Sequence, residues 1–345
     1  MSQPTTTGAA KLRIAILSFA HTHAVGYIRH LAGVADVELV TSDPDGHLAP
    51  DTGLRGADLA QQLGVAYLPT YEEVFAWQPD AVIVTSENAG HRALVEAAAA
   101  AGAHILCEKP LATSVADAEA MNAAADAAGV VLMTAFPVRF APSFRDARAR
   151  VQAGELGTVL GIRGTNNGKI PLASRAWFTD EALAGGGALV DHVVHCADLL
   201  DSLLGARASV VRAVSNKILH AETGVAVETG GLVTLTYPDG VIASIDCSWS
   251  VPESAPTWGG LTLEIVGTRG TIAIDPFAQR VNGYDANGPI WASIGDDLDG
   301  AMITEFLTAI RAGRPAQPDG RVGLRTQEIV AAARESALTG QPVKI

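Results

Sequence analysis

The chain has 345 residues, 48% of them hydrophobic and 18% charged, which excludes a disordered chain and exceeds one ordinary core, so two domains are expected. A formal net charge of −13 argues against a nucleic-acid partner and against a binding face for anionic membranes. Three scattered cysteines, Cys107, Cys196 and Cys247, spell neither a disulfide framework nor a cysteine-rich zinc module; with no apolar leader in residues 1–10 and no uncharged run of membrane-span length, a reducing cytoplasm is the expected home.

Residues 1–10 read as a frayed tail. The run LRIAILS at 12–18 is short and apolar, as in a strand buried on both faces. A loop with His21, Thr22 and His23 follows, then a helical pattern to about residue 31. Residues 37–41 read as a second strand with Asp43 just past its end, 57–63 as a helix and 71–77 as a shorter one. AVIVT at 81–85 is a strand, 91–101 an alanine-rich helix, 104–107 a strand, 114–128 a helix and 130–134 a strand. Such alternation implies right-handed crossovers and a doubly wound parallel sheet over residues 11–135, an α/β plan.

After about residue 136 the texture changes. Residues 141–153 look helical, 154–157 form a turn, and 187–204 read as one long helix. Long β-patterned runs follow at 208–216, 228–237, 241–249, 261–266 and 271–275, with Tyr237-Pro238-Asp239-Gly240 as a hairpin signature. They predict a second, α+β domain over 136–345, with a large, mainly antiparallel sheet carrying helices on one face. Helices near 300–312 and 320–338 close the chain.

Chemistry concentrates in a few places. At His104-Ile105-Leu106-Cys107-Glu108-Lys109-Pro110-Leu111 a hydrophobic strand ends abruptly in an acid, a lysine and a proline. That places Glu108 and Lys109 at the carboxyl edge of the sheet, where ligands bind in open α/β folds. Lys109–Pro110 is a candidate cis peptide, since cis bonds are nearly confined to proline. The first strand leads into Ser18-Phe19-Ala20-His21-Thr22-His23, where a dinucleotide fold would carry G-x-G-x-x-G. Small Ser18 and Ala20 still allow close approach, and backbone N–H groups can hold a phosphate without glycine. His21 and His23 read as cofactor contacts, as a structural pair, or as metal ligands, the last disfavoured because the strand–helix units stop well short of an eight-fold barrel. Asp43 stands where an acid would bind the ribose 2′-hydroxyl and repel a 2′-phosphate; its plain alternative is a turn residue. Thr85, Ser86, Asn88 and His91 follow another strand end and suit contacts along a cofactor, although a capped helix start explains much of the pattern.

The second constellation is Gly185-Gly186-Gly187…Asp191-His192…His195. The glycines let the backbone come close to a ligand. Asp191 and His195, four apart, share a helix face with His192 at its edge. A carboxylate beside an imidazole raises its basicity. The alternative is a polar helix face meeting solvent, at odds with the apolar Val190, Val193, Val194 and Leu199 around it.

These motifs resemble the glucose–fructose oxidoreductase / inositol dehydrogenase / rhizopine-catabolism (Gfo/Idh/MocA) family nearly end to end. Cys107-Glu108-Lys109-Pro110-Leu111, Gly185-Gly186-Gly187…Asp191…His195 with Asp198-Leu199-Leu200, and the closing Thr339-Gly340-Gln341-Pro342-Val343 carry the likeness. The resemblance implies an N-terminal Rossmann domain and a C-terminal α+β domain with an open sheet. It also implies oxidoreductase chemistry with NAD, less so NADP, on a sugar or inositol-like polyol, without a metal. Catalytic Lys109, Asp191 and His195 are implied, with Lys109, Arg139, Trp177, Asp191, His192 and His195 on the substrate. Ser18, Ala20, His21, Thr22, His23, Asp43, Thr85, Ser86, Asn88, His91, Glu108 and Lys109 would face the cofactor. A homodimer or homotetramer through the open sheet is implied as well. The sequence departs from the family in its lost glycine fingerprint and in His192, where an apolar residue is usual. Two other readings use the same residues: a glycoside-cleaving enzyme that oxidises transiently before elimination, and a non-catalytic dinucleotide sensor.

Overall fold

A computed structural model describes residues 11–48, 53–173 and 175–345, so the segment read as a tail lies outside the described residues. Strands β1 (Leu12–Leu17), β2 (Val37–Ser42), β3 (Ala66–Tyr67), β4 (Ala81–Val84), β5 (His104–Cys107) and β6 (Leu132–Thr134) form a parallel sheet in the order β3-β2-β1-β4-β5-β6. Helices α1 (His23–Ala32), α2 (Gly56–Leu63), α3 (Tyr71–Ala76), α4 (His91–Ala100) and α5 (Val115–Ala128) connect them. Every β4 side chain and the last four of β1 are buried, which is why AVIV and IAIL read as apolar runs. The strand order reverses between β1 and β4, and a doubly wound sheet opens its ligand crevice at such a reversal.

Helix α6 (Pro142–Gln152) leads to the second sheet. Its strands are β7 (Val159–Gly168), β8 (Val210–Asn216), β9 (Gly230–Thr236), β10 (Ile242–Ser248), β11 (Gly259–Gly267), β12 (Gly270–Ile274) and β15 (Val343–Lys344), ordered β12-β11-β7-β10-β9-β8-β15. The sheet is antiparallel as expected, except that β7 and β10 run parallel. Helices α7 (Glu181–Ala184) and α8 (Ala188–Leu204) fall between β7 and β8, and α10 (Gly320–Thr339) precedes β15. Alternate residues such as Val211, Val233, Ala243 and Ile245 pack against Val193, Val194 and Leu200 of α8 and Ile329 of α10. On the opposite face Val214, Leu232, Ile242 and Val266 remain 39–61% exposed.

Helix α9 (Leu298–Arg311) returns to the first sheet, where Met302, Ile303 and Phe306 share a core with Ile14, Ile16 and Tyr27. An isolated hairpin, β13 (Arg280–Asp285) and β14 (Gly288–Ser293), was not legible in the sequence, because every β13 residue is exposed and no apolar alternation marks it.

Candidate active site

Strand β5 delivers Glu108 and Lys109 to the carboxyl edge as expected, both buried, and the Lys109–Pro110 peptide is cis. The Lys109 Nζ donates to Asp191 Oδ1 at 2.9 Å. The second carboxylate oxygen of Asp191 accepts from the Trp249 indole N–H at 3.2 Å, and His192 Nε2 lies 3.6 Å from it. Burial alone would raise the Asp191 carboxyl; Lys109, His192 and Arg175 together outweigh burial and hold the acid well below the usual range. The centre is thus a buried, hydrogen-bonded ion pair that joins the two sheets.

The glycine run has a steric cause at Gly187. A Cβ there would sit 2.0 Å from the Glu228 carbonyl oxygen. This close approach lets Glu228 Oε1 accept from the N–H groups of Gly187 and Leu189, at 2.9 and 3.1 Å, satisfying donors at the start of α8. Asp191 therefore stands in a fixed first turn.

One turn on, half-buried His195 meets the Phe136 ring edge-on, with centroids 6.0 Å apart. Asp191 acts on His195 through space: among the described residues its carboxylate oxygens accept from Lys109 and Trp249, and no side-chain hydrogen bond joins it to His195. A charged donor simply holds the carboxylate more strongly than a neutral ring. Desolvation and then Lys109 push the His195 pKa well below its ordinary value, with Asp191 offsetting part of the shift. His192 is wholly buried, and burial lowers its pKa to about 4.

The first loop is built around the missing glycine. Ser18 takes φ +75°, a left-handed conformation that costs a non-glycine residue about 1 kcal/mol or more. Its hydroxyl compensates by donating to Asp43 Oδ1 at 3.2 Å and accepting from the Ala20 N–H at 3.1 Å. Thr85 Oγ1 donates to the Ser18 carbonyl at 2.7 Å, and the Trp177 indole donates to the Ala20 carbonyl at 3.0 Å. Trp177 is 2% exposed and so closes over this loop. Thr22 is exposed at the start of α1.

The expected role of Asp43 needs correction. It lies at the end of β2, as read, but its carboxylate is turned inward. It accepts from the Phe19 N–H at 3.0 Å, the Gly56 N–H at 3.0 Å and the Arg55 guanidinium at 2.6 and 3.0 Å. Arg55, missed by the sequence reading, leaves the acid already paired. His91 is also corrected. Its ring is wholly buried, with nitrogens 3.1–3.2 Å from the carbonyls of Pro110, Leu111 and Ser86, so it braces the turn after Lys109. Arg139 is spent on Asp198, its Nε–H shared between the two carboxylate oxygens at 2.8 and 2.9 Å and a terminal guanidinium nitrogen 2.6 Å from Oδ1, and among the described residues no hydrogen bond joins it to Lys109.

Behind Lys109, Glu108 Oε1 accepts from Tyr27 at 2.6 Å and pairs with His23 Nδ1 at 2.9 Å. Although burial would raise it, the imidazoles of His21 and His23 keep Glu108 well below the usual carboxylate range. His21, His23 and Glu108 place possible metal-ligating atoms within 4.8 Å of one another, so the metal reading has a geometric basis. The hydrogen bonds argue against it. His21 Nδ1 accepts from the His23 N–H at 3.2 Å, which leaves the proton on Nε2 and no lone pair there for a cation.

That Nε2 is buried without a partner among the described residues, as is Asn88 Oδ1, whose amide nitrogen donates to the Ala184 carbonyl at 2.8 Å. Ser86 Oγ turns to the Glu87 carbonyl at 3.1 Å. Two orphaned polar atoms just past β1 and β4, where the sheet order reverses, fit a dinucleotide that would satisfy them. Phe178 completes the centre and was also missed. Its ring lies 5.7 Å from Lys109 Nζ and 4.6 Å from the Arg175 guanidinium carbon. It sits in a short 3₁₀ turn whose sequence has no period to announce it.

Residues 47–136 match the family model described as "Oxidoreductase family, NAD-binding Rossmann fold", and residues 144–273 the "GFO/IDH/MocA C-terminal domain". The chain is 33% identical over 299 residues to a 1,5-anhydro-D-fructose reductase of Ensifer adhaerens, covering 84% of this chain and 88% of that one. It is 30% identical over 300 residues to a myo-inositol 2-dehydrogenase of Thermotoga maritima, covering 84% and 87%. The crystal structure of GenD2 from gentamicin A biosynthesis in complex with NAD superposes with a TM-score of 0.86 at 26% identity, over 100% of this chain and 99% of that one.

Proposed function

The chain belongs to the Gfo/Idh/MocA family of NAD-binding oxidoreductases, and from that premise we propose that Lys109, Asp191 and His195 serve reversible hydride transfer at a CH–OH group of a sugar or polyol. The observation that carries this reading is the 2.9 Å Lys109–Asp191 pair at the carboxyl edge, one helical turn from His195. Bound nicotinamide supplies the hydride acceptor. Asp191 holds the Lys109 side chain in place. Lys109 donates to the reacting oxygen and stabilises negative charge as it develops there. His195, held neutral by burial, accepts the hydroxyl proton. His192 shapes the substrate side, and Trp177 closes it against the first loop.

On the cofactor side, Ser18, Ala20, His21 and Thr22 present the first loop, with Ser86 and Asn88 opposite. Thr85, His23 and Glu108 support that surface from behind. NAD is the cofactor. NAD is expected to exceed NADP in kcat/KM. A panel of sugars, inositols and anhydrosugars with each cofactor, read at the nicotinamide absorbance, tests the reading. Failure of every carbohydrate to reduce either cofactor sinks it, and a preference for NADP overturns the assignment of NAD. The intact Lys109, Asp191 and His195 set counts against a sensor.

A second copy of the chain covers the open face of the second sheet in this reading, giving a dimer or tetramer. The exposed Val214, Leu232, Ile242 and Val266 support it. Leu232→Asp with Ile242→Asp is expected to yield monomers in sedimentation; an unchanged mass puts the interface elsewhere. Three free, buried cysteines support a cytoplasmic location, and among the described residues no helix is long and apolar enough to cross a membrane. Recovery in a secreted fraction argues against that location.

A further inference from the structure

Of the three tryptophans around the reaction centre, Trp177 and Trp249 are buried, at 2% and 0% exposure, whereas Trp258 is 43% exposed. An exposed indole is ordinary when it hangs from a loose loop. This one is seated. Gly168 lies directly beneath it, where a Cβ would meet the indole at 2.7 Å, so only glycine admits the ring. The His192 ring packs against it with centroids 5.4 Å apart. The Lys169 N–H donates to the Trp258 carbonyl at 2.9 Å, and Lys169 Nζ donates to the carbonyls of Glu253 and Ala255 at 2.9 and 2.8 Å, which staples the loop that carries it. The backbone therefore fixes an aromatic face in water at the carboxyl end of β7.

Its distance from the chemistry is short and continuous. Trp258 touches His192, His192 Nε2 lies 3.6 Å from Asp191, and Asp191 binds Lys109 at 2.9 Å. His192 itself is wholly buried, with both ring nitrogens unpartnered among the described residues, so it acts as a spacer between the reacting centre and the indole. A sugar ring has an apolar face of C–H groups and a polar rim of hydroxyls. A flat indole matches the first and leaves the second in water.

We infer that Trp258 is the platform of a second sugar subsite, so that the preferred substrate is a disaccharide or glycoside whose non-reacting ring lies on the indole. The inference rests on the carbohydrate reading above and deepens it. The exposed sheet is an alternative use for the residue, through a second copy of the chain, and the test separates the two.

Wild type, Trp258→Ala and Trp258→Phe are compared on maltose, cellobiose and sucrose, and on glucose and myo-inositol, with NAD present. Turnover and calorimetric binding are both measured. For the disaccharides that bind, Trp258→Ala is expected to raise KM and Kd about tenfold, the scale of one lost aromatic contact. The kcat should hold, the monosaccharide and inositol constants should move less than about twofold, and Trp258→Phe should restore most of the loss. Equal losses on single and double sugars overturn the inference, as does wild type binding glucose or myo-inositol but no disaccharide. A change of mass in sedimentation with unchanged disaccharide binding assigns Trp258 to a subunit contact and overturns it too. If disaccharides bind through Trp258 yet no sugar of the panel is oxidised, the subsite stands and the hydride reading falls, whereas oxidation of glucose or myo-inositol but of no disaccharide overturns the inference. If no carbohydrate binds at all, both fall.

Discussion

Lys109→Ala is expected to lower kcat by about 10²–10³, the loss typical of removing one preorganised donor from developing charge, while the NAD dissociation constant changes little. The reason lies in how the lysine is held. Its ammonium is buried, and Asp191 fixes it at 2.9 Å. Removing the lysine also strands the Asp191 carboxylate in the same buried place, where an unpaired charge is costly. With Lys109 gone, burial would push the Asp191 pKa upward. Lys109→Arg is not a conservative rescue, because a planar fork cannot take the place of a point charge in a closed pocket. Turnover and NAD fluorescence titration on the same preparations check the prediction. Near-normal kcat removes Lys109 from the mechanism. Lost NAD binding with an intact melting profile moves it to the cofactor side.

The two sheets were legible because burial imposes period. Short, mainly apolar runs marked β1, β4 and β5, and alternating runs marked β8 to β10, whose second face stays more exposed. Lys109 was legible for a related reason: charge at the end of such a run has nowhere to go but the sheet edge. Partners were not legible. Asp43 stood where the reading placed it, yet Arg55, twelve residues on, had already claimed its carboxylate. Asp191 and His195 share a helix face by spacing alone, but spacing does not show that Lys109 and Trp249 outbid the imidazole. Phe178 and Trp258 lie in irregular segments, where no periodicity connects sequence to position. The local code thus fixes where a group is delivered, and long-range contacts decide what it does there.

The acid side of the pH profile tests that distinction at His195. The proton acceptor must be neutral to act. Desolvation and the Lys109 charge lower its pKa, and the neighbouring Asp191 only partly restores it. Full kcat/KM is therefore expected above the ordinary imidazole value of about 6.5, with the fall coming at lower pH as the ring protonates. His195→Asn should cut the rate by about 10²–10⁴, the usual worth of a positioned base, and flatten that limb. Asp191→Asn offers a sign check. It removes a charge that raises the His195 pKa, so whatever activity survives should show its limb at still lower pH. His192, with its pKa lowered to about 4, complicates the assignment, because a second imidazole in the same centre also titrates on the acid side. The two are separable. His192→Leu should keep the limb and alter substrate preference, because that ring packs between Asp191 and Trp258. Profiles of kcat/KM from pH 4 to 9 on the three variants decide the matter. A limb that vanishes in His192→Leu and persists in His195→Asn exchanges the two roles, making His192 the base and His195 the spacer.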